Sequence, residues 1–266
     1  MTQRLTGDTS KAEGIQMEQA PYPFERLCKG YFAARRTDRV KAAELLDGTL
    51  HLGDYKFDVF EPSSYDRVDR IPRAQQLVLH SLRWADPLRR SAAELAGAEQ
   101  AWLRIFEAWS LSKSAADQSS AAWAPYVCEQ RATAIALQTS TGSDSPYLSL
   151  HLRTLQQTHD RSADALRRVA ILRVLLALAS RSNIDPTERE ALAKNCVDST
   201  FAGNGYCIAA DLSDIVRAYA EWKAELEAAN MLDARCLLEE RRSEEFWVHA
   251  HLPAGDWSSL VTKFRL

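Results

Sequence analysis

Two histidines near the end of the chain, His249 and His251, flank Ala250 where Phe246, Val248, Ala250 and Leu252 alternate with Trp247 and the imidazoles. Side chains two apart on a strand share a face, and paired imidazoles can grip a metal ion. No third ligand stands at a recognisable spacing, so the expectation is an exposed strand face, with no metal and no cofactor. His151 and His159, two turns apart on a helical stretch, read as surface residues. His80 sits among Leu77, Val78, Leu79, Leu82 and Trp84 and reads as a core or interface histidine ahead of a catalytic one. The cysteines Cys28, Cys128, Cys196, Cys207 and Cys236 are widely spaced and odd in number, which excludes an all-disulfide framework and forms no zinc or redox pattern. None has a neighbouring base motif that would make it a nucleophile.

Aromatic residues offer a different chemistry, the stacking of flat rings. Four of the seven tryptophans (Trp84, Trp102, Trp109 and Trp123) fall between Leu77 and Arg131. Ala98, Ala101, Trp102, Ile105, Phe106 and Trp109 follow helical spacing, opposite Glu99, Gln100, Arg104, Glu107 and Ala108, so Trp102 and Trp109 are expected in the core. Trp84 stands just ahead of Asp86-Pro87, separated from it by Ala85, and Trp123 stands beside Ala124-Pro125. That places them at helix ends, on a rim where a ring can stack on a ligand.

The elements that must carry these residues are mostly helices. Asp86-Pro87, Ala124-Pro125, Ser145-Pro146 and Asp185-Pro186 each put proline at a helix start, where its missing N–H needs no partner. Asp185-Pro186-Thr187-Glu188 also has capping-box spacing. Thr37 could cap a helix to Asp47 with Gly48 as its stop, and Leu50, Leu52, Tyr55, Phe57 and Val59 around Gly53-Asp54 suggest a short hairpin. Residues 163–179 are apolar on most sides and belong at the centre of the packing, their three arginines arguing against a membrane span. A long helix from Leu212 is expected to continue past Asn230 towards Arg242, and the alternation from Phe246 predicts a terminal strand. The expected fold is mainly α, with antiparallel helix hairpins in an incomplete α/α toroid or bundle, a hairpin near 49–60 and a short C-terminal strand. Residues 1–20 read as a disordered tail, 21–242 as a single helical domain and 243–266 as a strand-containing extension.

Composition narrows the classes of function. The 266 residues hold 33 Lys+Arg against 36 Asp+Glu, a net charge of −3, so no global basic field points to nucleic acid. Arg26, Lys29, Arg35, Arg36, Arg39 and Lys41 cluster locally and read as a solvated face, with an anionic partner as the alternative. No secretory leader or long apolar run is recognisable, which gives the expectation of a cytoplasmic, reducing setting without membrane contact.

The segments KAAELLDGTLHLGDYKFDV, LVLHSLRWADPL, the helix ending in FEAW and AWAPYVCEQR, in that order, resemble the N-terminal helical domain of heparinase II/III-like polysaccharide lyases. The resemblance spans residues 38–225 and is firmest over 41–131. It implies a toroid of helix pairs and cleavage of uronate polysaccharides by β-elimination, in which one side chain neutralises the uronate carboxylate and another moves the C5 proton. Carried onto this chain, it implies Arg131, His80 and Tyr206 as the catalytic set, with Trp84, Trp123 and Tyr126 lining the sugar groove. The implied partner is an acidic polysaccharide or oligosaccharide. Where the family has an Asn-His pair the chain reads HDRSADALRRVA, Cys207 follows Tyr206 in place of histidine, and no β-sandwich is expected after the helices. These departures leave a non-catalytic helical binding or scaffold module, with a protein partner, as the alternative.

Overall fold

The computed structural model describes residues 27, 36–66, 70–112, 117, 120–138, 146–162, 164–201 and 212–249. They are mainly helical, with one antiparallel two-stranded hairpin. Asp38–Leu46 (α1) begins after Thr37, although the threonine side chain makes no cap bond, and the chain turns at Gly48, where φ is +76°. Thr49–Leu52 (β1) pairs with Tyr55–Asp58 (β2) from Thr49↔Asp58 to Leu52↔Tyr55, which leaves Gly53-Asp54 as the loop. Leu50 and Phe57, directly opposed, are the strand side chains turned to the core. The short helix Ser63–Asp66 (α2) buries Tyr65, whose hydroxyl donates to Val59 O at 3.0 Å.

Arg73–Ser81 (α3) ends at Leu82, itself left-handed at φ 55°, and a tight turn through Trp84 leads to Asp86–Arg90 (α4). Asp86 lies inside α4 and not at its cap: its carboxylate is 3.7 Å from Arg90, whose guanidinium also grips Asp38 of α1 through two bonds of 2.7 and 2.8 Å. Ala98–Leu111 (α5) buries the expected stripe, with Phe106 stacked between Trp102 and Trp109 at 5.6 and 6.2 Å. Ala108, expected on the polar side, is buried as well, because an apolar face this wide takes in the flanking small residue.

Pro125–Gln138 (α6), Pro146–Arg161 (α7), Ala165–Arg181 (α8) and Pro186–Thr200 (α9) follow, each of α6, α7 and α9 opening on proline as expected. Asp164 and Asp185 cap α8 and α9 by accepting from backbone amides in the first turn. α8 is the central helix: it packs on α6, α7 and α9 and on Leu212–Ala228 (α10), while Leu232–His249 (α11) packs on α9 and α10. The expected long helix is two helices. At Asn230, φ is 55°, Asn230 N donates to Glu227 O and Met231 N to Leu226 O, the paired bonds of a Schellman stop, with Met231 and Leu226 both buried.

The expected C-terminal strand is overturned for Phe246 to His249, which continue α11. A two-residue alternation over so short a run competes poorly with a helix already nucleated upstream by Leu, Glu and Arg, since each added residue then costs no new nucleus. Residues 250–266, His251 among them, lie outside the described residues, as do 1–26 and Tyr206.

Candidate functional site

Arg131, on α6, is fully buried. Its Nη1 donates to His80 O at 2.8 Å and to Ala122 O at 2.6 Å, and its Nε donates to His151 Nε2 at 2.8 Å. Its guanidinium carbon stands 4.1 Å from the ring centre of Trp109 and 4.7 Å from that of Trp123, so two indoles flank the cation. His151 closes the group, 5.0 Å from Trp123 and 5.8 Å from Trp109 between ring centres. Trp109 Nε1 points at His80 Nδ1 across 3.4 Å. Four elements therefore meet on one guanidinium: α3 through a carbonyl, the Ala121–Trp123 turn through another, α5 through an indole and α7 through an imidazole.

No carboxylate pairs with Arg131 among the described residues. Removing a cation from water costs several kcal/mol, offset here by charge-assisted bonds and by indole faces that attract a desolvated cation. Burial lowers the Arg131 pKa to about 10. Burial first, and then the charges of Arg131 and Arg73, hold His80 down at about 3. The expected catalytic pair of Arg131 and His80 is therefore enclosed in the interior, with the His80 side chain at no exposure. A group that neutralises a bound carboxylate or carries a proton has to reach substrate, and neither does so in this arrangement.

An open cleft of about 650 Å3 is lined in part by Trp123. Pro125 also lines it, together with Thr154, Gln157, Thr158 and Arg161 of α7, Ser162 and Asp164 between α7 and α8, and Arg167 in the first turn of α8. The four α7 residues fall at intervals of three, one and three, which puts them on one helix face. The same spacing that marks an apolar stripe marks a polar one here, and it was legible in the sequence. Thr154 and Thr158 each donate their hydroxyl to the carbonyl four residues earlier, which leaves their oxygen lone pairs for a ligand. Asp164 is occupied as the cap of α8.

Of the remaining expected site residues among those described, Trp123 alone lines this cleft. Trp84 is half-buried and spends its indole N–H on Leu79 O at 2.8 Å, closing the end of α3. Tyr126 is exposed beside Pro125 but does not line the cleft. Trp123 lines it from a largely buried position, 5% exposed, which leaves little ring surface for stacking.

His151 and His159, expected at the surface, are both fully buried. His159 Nδ1 lies 3.3 Å from Asp160 Oδ1 and 3.4 Å from Ser199 Oγ. A serine, a histidine and an aspartate are thus in contact, but both partners meet the same ring nitrogen, whereas proton relay needs them on opposite nitrogens. Burial pushes the thiols of Cys128 and Cys196 up to about 11 and about 12, which makes both inert. Among the described residues no group of three or more His, Cys, Asp or Glu side chains is arranged to hold a metal, and no helix is long and apolar enough to cross a membrane. No family model, no curated protein and no solved structure matches this chain.

Proposed function

We propose that the protein is a helical binding module that takes a sugar-like ligand in the cleft beside Trp123, without β-elimination at Arg131 and His80. The observation that carries this reading is the polar face of α7. Gln157 offers an amide donor and acceptor, the two threonines offer lone pairs, and Arg161 offers a guanidinium, in a lining that also includes the apolar Trp123 and Pro125. Hydroxyl groups both donate and accept, so a polyol matches this lining better than a purely apolar molecule does, and the volume falls in the range of small-ligand sites. The packing of successive helices on one another supports the likeness to the lyase helical domain; the burial of Arg131 and His80 favours binding over catalysis.

Calorimetry with uronate-containing oligosaccharides, and neutral gluco-oligosaccharides for comparison, tests the reading. Binding is expected, and Gln157→Ala and Arg161→Ala are each expected to weaken it by about tenfold, the worth of one or two polar contacts. No unsaturated uronate product should accumulate in the ultraviolet. Folded protein that binds none of these sugars, or binds them unchanged after both substitutions, would sink the reading.

A further inference from the structure

The cleft carries two kinds of polar group, set at different places along α7. Thr154 and Thr158 have committed their hydroxyl protons to the backbone, so they offer a ligand lone pairs, and Gln157 beside them both donates and accepts. Arg161 in the last turn of α7 and Arg167 in the first turn of α8 can only donate, and both belong to the lining. At 1.5 Å per residue, Thr154 and Arg161 stand roughly 10 Å apart along the helix axis. Hydroxyl groups of a ligand are therefore served at one end of the cleft and acceptor-only groups at the other.

The cationic end is not neutralised from within. Among the described residues neither guanidinium forms an ion pair, whereas Arg90, Arg173, Arg217 and Arg241 each hold a carboxylate. Asp164 lies in the same lining, but its carboxylate accepts from the Leu166 and Arg167 amides as the cap of α8. Glu129 of α6 feels the charge of Arg167, which opposes the larger upward effect of burial on its carboxyl, without meeting that guanidinium in an ion pair. Ser162 adds a hydroxyl from the turn between the two arginines. A carboxylate, with two oxygens and a single charge, is filled by one guanidinium fork. A phosphate monoester, with three free oxygens and close to two charges, takes both.

We propose that the ligand of this cleft is a phosphorylated small sugar, whose hydroxyls meet Thr154, Gln157 and Thr158 and whose phosphate is held by Arg161 and Arg167 where α7 turns into α8. The inference rests on the cleft being a sugar site and narrows it, since the sugar reading by itself assigns no role to Arg167.

Calorimetry on the full chain tests this with the 6-phosphates of glucose, mannose and galactose, the three free hexoses, glucuronate and inorganic phosphate. At least one hexose phosphate is expected to bind about tenfold or more tightly than its free hexose and than glucuronate, the worth of an added charge-assisted contact. The advantage should shrink as salt is raised, since Arg161 and Arg167 are both exposed. Arg167→Gln removes one cation at an exposed position and should bring the ratio of phosphorylated to free hexose to within about threefold. Glucuronate as tight as the hexose phosphate, or a ratio that Arg167→Gln leaves unchanged, would overturn the phosphate assignment and leave the sugar reading standing. Inorganic phosphate that binds through Arg167 with no gain from an attached sugar would sink the sugar reading, and the ligand inferred here with it, leaving an anion site alone. No binding by any of these probes overturns the inference, while the oligosaccharides judge the cleft separately.

Discussion

Arg131 holds four elements through one planar fork, which makes it the residue whose replacement should be felt furthest. Lysine keeps the charge but has neither the fork nor the flat face that lies between Trp109 and Trp123, so the carbonyls of His80 and Ala122 and the Nε2 of His151 cannot all be served. Arg131→Lys is expected to cost about 2–4 kcal/mol, the loss of two buried charge-assisted bonds, measured as a lowered urea midpoint. A midpoint within about 0.5 kcal/mol of the parent would show that the fork is not what joins these helices. None of this could be read from position. The resemblance put Arg131 in a substrate groove, and His151 and His159 looked exposed, because their partners lie 20 and 40 residues away in the chain. The burial of such residues is decided by the tertiary partner that satisfies them, which local pattern does not encode.

Gly48 shows where an element was legible and why. Its positive φ ends α1 and starts β1, and Val59 N returns to Gly48 O at 2.8 Å to tie the far side of the hairpin to the same residue. A Cβ there would stand 2.7 Å from Phe60 Cδ2 and 3.1 Å from Asp58 Oδ1, in addition to the cost of a left-handed alanine. Gly48→Ala is expected to destabilise by about 1–3 kcal/mol. Because Arg104 lies 3.9 Å over the Phe60 ring, the substitution should also shift the ring's proton resonances; unchanged stability and unchanged Phe60 shifts would refute the steric argument. The glycine stop, the Gly53-Asp54 loop and the proline helix starts were all visible in the sequence, since each follows from what one residue's backbone can do. The break at Asn230 and the helical Phe246–His249 segment were not. The first depends on Met231 finding Leu226 beneath it, and the second on a helix continuing from residues upstream.

At the scale of the whole molecule, buried neutral histidines set the response to acid. His80 is held near 3 and His159 near 4, both below the unperturbed histidine value of 6.5. A folded-state pKa below the unfolded one means that the unfolded chain binds protons first, so this stability is complete above about pH 6.5 and declines as pH falls towards the folded values. Glu129 pulls the other way. Burial raises its carboxyl, so the folded state takes up that proton first and offsets part of the loss nearer the carboxylate range. The window between about pH 6.5 and pH 5 is therefore where the histidines act with least interference. Over that interval each buried histidine removes up to about 2 kcal/mol, the worth of 1.5 pH units, and the urea midpoint should fall accordingly. Replacing His80 by Asn, which cannot titrate, lowers the starting stability but should flatten the slope, since one of the contributors has gone. A midpoint that is flat across the window in the parent, or a slope that His80→Asn leaves unchanged, would mean that the protons of acid unfolding are taken up elsewhere.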